Sequence, residues 1–236
     1  MHKIALILLL SWMAGLASFA GACIARWFGS GSSSTERQIV HGVVAFGGGL
    51  LVAAIAFALV PKGIENLDPL PLALSFAAGG VVFWILDAFL ARRGGSRAQF
   101  MAMLMDFLPE AVSMGAVFGH DPHLGMLLAL FIGAQNLPEG FNAFRELMDT
   151  GARERRVLWS FFLVSLLGPL AAGSGLLLLR RQSTLTALIM TFAAGGILYL
   201  VFQDIAPQSK MRRHWTPPLG AVLGFIVGML AAKLLR

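Results

Sequence analysis

Eight times along this chain an apolar run of roughly 20 residues, enough to cross a ~30 Å hydrocarbon layer as a helix, ends in a short polar connection. The runs fall near 4–25, 39–60, 71–91, 98–118, 124–148, 157–179, 185–206 and 217–235. Between them lie breaker-rich pieces such as "GSGSSSTER" at 29–37, "ARRGGSRA" at 91–98, "GHDPH" at 119–123 and "HWTPP" at 214–218. None is large enough to fold by itself. The pattern predicts an all-α polytopic membrane protein, with eight transmembrane helices in one bundle and residues 1–236 as a single transmembrane domain.

Charge content points the same way. Only 13% of residues are charged, against about a quarter in a soluble domain, and the mean hydropathy is +0.77. Most of the surface must therefore face lipid. The opening "MHKIALILLLSWMAGLASFAGA" imitates a secretory signal, with a Lys, an apolar core and small residues. Its continuation "CIARWF" extends the run and favours a first span. A lone cysteine, Cys23, excludes an internal disulfide and a cysteine zinc cage. The net charge of +6 sits in short segments between apolar runs, so it marks topology rather than nucleic-acid binding. Twelve of the eighteen Lys and Arg lie in the first, third, fifth and seventh connections. That bias predicts those connections in the cytosol and both termini outside, in the cell membrane.

A faint echo joins two spans. "FGGGLLVAAIAFALVP", Phe46 to Pro61, and "FAAGGILYLVFQDIAP", Phe192 to Pro207, share a Phe, glycines and a Pro at one spacing. The two spans are expected to run in opposite directions, as inverted repeats of transporters do. "FAAGG" recurs at 76–80 in span 3, however, and small-residue clusters are common wherever membrane helices touch.

Chemistry concentrates in spans 4 and 5. Asp106 and Glu110 are four residues apart and share a helix face, and so do Gln135 and Glu139, with Asn136 three before Glu139. Pro109 and Pro138 immediately precede the two glutamates. A proline at membrane depth disturbs the carbonyl four residues back, which is tolerated only beside protein or a wet cavity. Each mid-membrane carboxylate costs about 2.5–3.5 kcal/mol on the insertion scale. No Lys or Arg lies in these middles, so the acids must be protonated, paired with amides, or bound to a cation. A divalent cation would neutralise two carboxylates and take their oxygens as ligands. Helix–helix glue made of protonated acids and amides is the competing structural reading.

Around this core, Asn142 and Glu146 continue the span 5 stripe and Ser113 extends the span 4 face. Asp204, beside Gln203 and before Pro207, is an exit-side candidate. Asp87 is expected to pair with Arg92 or Arg93. His120 and His123 flank Asp121 in a turn, where a solvated Asp-Pro helix start is the plainer reading. Only Met105, next to Asp106, offers a soft donor.

These residues carry a resemblance. Eight spans, termini outside, and "DFLPEA" and "QNLPEG" in spans 4 and 5 resemble the Zrt/Irt-like (ZIP) family of divalent metal transporters. The resemblance implies an eight-helix, usually dimeric bundle that moves zinc, iron, manganese or related ions into the cytosol, with a binuclear site between spans 4 and 5. By position, Asp106 takes the usual histidine place and Phe107 the usual asparagine place. Gln135 and Asn136 take places commonly held by His or Gln and then Asp or Glu. Glu110 and Glu139 match. Gly168 stands where many members supply a glutamate, and Lys62 where Pro-Glu is frequent. The expected metal ligands are Asp106, Glu110, Gln135, Asn136 and Glu139, an oxygen set that suits manganese or ferrous iron better than zinc; family frequency still puts zinc first.

No G-x-x-x-x-G-K-[ST] loop occurs, so transport would run on a gradient. The expectation is a divalent metal transporter, not an enzyme, with the metal as substrate, no cofactor, a lipid bilayer and a second copy as partners, and no nucleic acid. A non-transporting ZIP-like scaffold or metal sensor is the alternative. An intramembrane aspartyl hydrolase built on Asp106 and Asp204 ranks last, because no G-x-G-D context accompanies either.

Overall fold

The computed structural model describes residues 2–28, 34–93, 96–119, 121–179, 182–211 and 214–235, without the side chains of 2, 3, 91, 93, 96–103 and 106. Their regular structure is helical. Eight rods follow in order: α1 (His2–Phe28), α2 (Ser34–Asn66), α3 (Pro69–Arg93), α4 (Ser96–Phe118), α5 (Pro122–Asp149), α6 (Glu154–Leu179), α7 (Ser183–Ser209) and α8 (Leu219–Leu235). α1, α2, α3, α6 and α7 are long and apolar enough to cross a membrane. α8 is apolar but shorter. α5 has 28 residues and falls short on composition, because the polar residues of interest sit in it. The protein is an all-α polytopic membrane protein. Its outward side chains agree, with Leu177 76%, Leu178 71% and Leu70 69% exposed.

The helix ends and breaks follow local chemistry. Asp121 caps α5, accepting from the Leu124 N–H at 3.0 Å, with Pro122 at the first helical position. That is the plain helix start expected around His120 and His123; His120 itself lies outside the described residues. α5 ends where Gly151 turns to a φ of 76°. α6 breaks at Leu166, just before Pro169, whose ring would crowd the Ser165 carbonyl. α2 and α7 each contain one π turn, Ile55–Leu59 and Val201–Ile205. Each π turn ends two residues before a proline, Pro61 and Pro207. The wider turn accommodates the ring and the missing donor. Both begin nine residues after the Phe of the sequence echo, Phe46 and Phe192. The echo is therefore structural.

The rods associate as four close pairs, α1 with α5, α2 with α8, α3 with α7 and α4 with α6. In each pair glycines on both helices face partner carbonyls. A Cβ on Gly79 would lie 1.9 Å from Phe192 O, and one on Gly195 would lie 2.0 Å from Phe76 O. The two "FAAGG" segments thus interlock. Gly21 meets Leu137 O while Gly140 meets Ser18 O, Gly49 meets Ala221 O while Gly224 meets Phe46 O, and Gly115 meets Ala172 O while Gly175 meets Val112 O. Lipid supplies no hydrophobic drive between helices, so backbone-to-backbone packing has to supply the attraction.

Contact order shows direction. Ser75, Gly79, Phe83 and Asp87 of α3 meet Leu188, Phe192, Gly196 and Tyr199 of α7 in the same sequence, so the pair runs parallel. Exchanging α1 with α6, α2 with α7, α3 with α8 and α4 with α5 maps the four pairs onto one another. That is the pattern of two matching halves, with α4 and α5 as mutual counterparts. Asp87 Oδ2 accepts from Tyr199 Oη at 2.9 Å, a partner not expected from the sequence; of its two expected partners, the Arg93 side chain lies outside the described residues. The α3–α7 pairing delivers that hydroxyl to Asp87.

Adjacent glycines of α3 give opposite expectations. Gly79→Ala drives a Cβ into backbone and should cost about 1–3 kcal/mol. Gly80→Ala meets its nearest atom at 3.6 Å and should change stability by no more than ~0.5 kcal/mol. Thermal unfolding of the two variants in one detergent checks the pair, and equal losses would contradict the packing.

Candidate functional site

α4 and α5 pack side by side at the centre of the molecule, and this places Glu110 against Gln135. Glu110 is 2%, Gln135 0% and Asn136 2% exposed. Gln135 Nε2 donates to both carboxylate oxygens of Glu110, at 2.7 Å to Oε1 and 2.6 Å to Oε2. The other end of the same amide, Gln135 Oε1, is buried with no hydrogen-bond partner among the described residues. Buried polar atoms are rarely left so, and each exception calls for an explanation.

Every residue of "QNLPEG" has an assignment. Asn136 Nδ2 donates to Ala14 O of α1 at 2.9 Å. The Leu137 carbonyl meets Gly21 of α1 while its side chain turns outward. Pro138 fits against Gly47 of α2, where a Cβ would lie 2.9 Å from Pro138 Cγ. Glu139, one turn beyond Gln135, is half-buried. Gly140 lies against the Ser18 carbonyl of α1. α1, α2 and α4 therefore enclose this stretch of α5. On α4, Ser113 Oγ donates to Pro109 O at 2.8 Å.

The expected ligands are partly brought together. Glu110 and Gln135 are in direct contact, and Glu139 follows on the same face of α5 as Gln135. Asn136 is turned to α1 through its amide nitrogen and retains only its oxygen to offer. Asp106 lies on the continuous α4 backbone one turn from Glu110, with its side chain outside the described residues. Among the described residues no three His, Cys, Asp or Glu converge on one point. A cation here could take amide as well as carboxylate oxygens.

The donor set fits such a cation. Gln135 Nε2 faces both Glu110 oxygens, so the amide and the carboxylate could share an ion seated between them. Rotation of the amide about its terminal torsion replaces that nitrogen by the partnerless oxygen. The ion pairs Arg26–Glu154 and Lys62–Glu65, at 2.6 and 3.5 Å, lie at helix ends, away from this centre.

Above and below, the surroundings differ. Leu127, Leu128, Phe131 and Ile132, all buried, occupy α5 between Gln135 and the Asp121 end. Beyond them Lys62, Glu65, Asp121 and His123 line a cavity of about 460 Å³. Toward the other end the polar stripe continues. Asn142 Nδ2 donates to Glu146 Oε1 at 2.9 Å and to Gln208 Oε1 at 2.7 Å. His41 Nδ1 is hydrogen-bonded to the Gln208 carbonyl. Glu146 and Asp204 lie close enough to act on each other electrostatically. The stripe residues Asn142 and Glu146 and the exit-side candidate Asp204 stood out in the sequence, whereas the parts of His41 and Gln208 in joining α2, α5 and α7 did not.

The comparisons with known proteins meet the same helices. A family model described as "ZIP Zinc transporter" matches residues 95–236, which takes in α4 through α8 and both Pro-Glu units. The zinc transporter GufA of Myxococcus xanthus is 32% identical over 134 residues, covering 55% of this chain and 52% of that protein. A putative zinc transporter of Arabidopsis thaliana is 25% identical over 177 residues, covering 68% of this chain and 28% of that protein. The chain thus spans about half the length of the first relative and little more than a quarter of the second. With more than half of its length matched, and with the paired Pro-Glu helices inside the match, the chain belongs to the ZIP zinc transporter family.

Proposed function

We propose that the protein moves divalent metal cations, zinc first and iron or manganese by the same oxygens, across the cell membrane into the cytosol. Its termini lie outside, and it works as a homodimer in the bilayer. Asp106, Glu110, Gln135 and Glu139 hold the ion between α4 and α5, and Asn136 contributes through its amide oxygen while its nitrogen locks α5 to α1. The observation that carries this reading is the Glu110–Gln135 contact. A carboxylate is buried in a membrane protein and, among the described residues, is served by an amide whose own oxygen has no hydrogen-bond partner.

Each part of the site has a distinct task. Glu110 and Glu139 supply the negative charge that offsets the ion's lost hydration. Gln135 holds Glu110 in place between ions and then turns its oxygen to the cargo. The apolar stretch Leu127–Ile132 closes the outer side, and the Asn142–Glu146–Gln208 stripe leads the ion inward. Rocking of one helix group against the other gives alternating access, driven by a gradient.

Exchange of Glu110 or Glu139 for alanine should lower zinc uptake into proteoliposomes more than ~10-fold, the loss usual for disturbing even an outer partner of a metal site. Unchanged uptake in both variants would overturn the assignment. The non-transporting scaffold or sensor reading is favoured by Asp106 and Gly168 standing where the family resemblance expects a histidine and a glutamate. It expects zinc binding without uptake in the wild type.

Acidity supplies a second check. Metal and proton compete for the same carboxylate oxygens. Protonation rises as pH falls, so zinc uptake should slow on acidification and recover at neutral pH. Uptake that rises as the outer solution is acidified would contradict this competition.

A further inference from the structure

One flank of the site is built from carbon. Phe107 stands one turn before Glu110 on α4 and is 3% exposed. Its ring reaches the place where α1 crosses α6. A Cβ on Gly168 would lie 2.8 Å from Phe107 Cζ and 2.6 Å from Ser11 O, and a Cβ on Gly15 would lie 3.0 Å from the same Cζ. The ring thus fills the space that side chains at 15 and 168 would enter.

The polar groups along that flank are committed elsewhere. Ser11 Oγ donates to Leu8 O at 3.0 Å and Ser165 Oγ to Phe162 O at 2.6 Å, each within its own helix. Asn136 Nδ2 is held by Ala14 O. A second dication beside the first would bring two more positive charges and require about four to six donors of its own. This flank offers a phenyl ring, two glycines and hydroxyls already bonded to backbone.

Resting on the transport reading above, we infer that the site takes one divalent cation per chain, and that Phe107 limits it to one by filling the space against Gly15 and Gly168. Phe107 touches no cargo. It sets the capacity of the site through packing, and the ring together with the Ser11 carbonyl leaves no room for a side chain at Gly168.

Equilibrium dialysis of the detergent-solubilised chain against zinc, followed by metal analysis, reads the number directly. The wild type should hold one equivalent, Glu139→Ala none, and Phe107→Leu, which keeps the flank apolar, one. The double variant Phe107→Asn/Gly168→Glu should hold two. Gly168→Glu alone should unfold at a lower temperature than the wild type, and adding Phe107→Asn should restore part of the loss. Two equivalents in the wild type, both lost in Glu139→Ala, would overturn the single-cation inference and leave the transport reading standing. One equivalent that survives Glu139→Ala would instead overturn the site itself. A Phe107→Asn/Gly168→Glu variant no more heat-stable than Gly168→Glu alone would overturn the role given to Phe107.

Discussion

A carboxylate kept in the interior of a membrane protein without a basic partner is the constraint around which this molecule is arranged. Glu110 is enclosed by helices, far from the ion pairs at the helix ends, and its two oxygens accept from one amide nitrogen. An amide is a weak substitute for a cation, because it carries partial charge only and brings its own oxygen into the burial. That oxygen, on Gln135, is the atom left over. A cation bound as proposed would neutralise the acid and give the amide oxygen a partner. The cost of burying acids in lipid, about 2.5–3.5 kcal/mol each, would then be offset by the proposed cargo.

Holding such a centre steady requires close helices, and the glycine–carbonyl pairs provide them. Gly140 brings α5 against the Ser18 carbonyl of α1, and Gly47 admits Pro138 beside α2. These two contacts fix the rotation of α5 and so aim Gln135 and Glu139. The same device recurs in all four helix pairs, and the π turns of α2 and α7 match across the two halves. α4 and α5, counterparts under that exchange, each contribute one Pro-Glu unit. The site lies between the halves, where relative movement of helix groups reaches it most directly.

Much of this was legible in the sequence, for physical reasons that can be named. Apolar runs at bilayer length reveal helices because lipid permits little else, and Glu110, Gln135 and Glu139 stood out because their cost demands a partner. The π turns were not legible: Pro61 and Pro207 announce a disturbance, yet the choice between kink and wide turn depends on neighbours. Asp87 pointed to nearby arginines, whereas α3–α7 packing delivered the Tyr199 hydroxyl from a distant part of the chain. Asn136 looked equivalent to Gln135 as a ligand. Its position one residue on, about 100° around the helix, sends its amide nitrogen to Ala14 O and leaves its oxygen. Phe107 showed as a departure from family pattern, and only the approach of Gly15 and Gly168 shows what the ring does.

The account stands on a cation seated between α4 and α5 on carboxylate and amide oxygens. Anomalous diffraction from crystals grown with zinc, collected on both sides of the zinc edge, locates the ion without reference to transport. One peak is expected per chain, about 2.0–2.2 Å from oxygens of Glu110, Gln135 and Glu139, with the Gln135 amide turned so that Oε1 faces the ion. A strong peak elsewhere, with Gln135 Nε2 still bonded to both oxygens of Glu110, would contradict it.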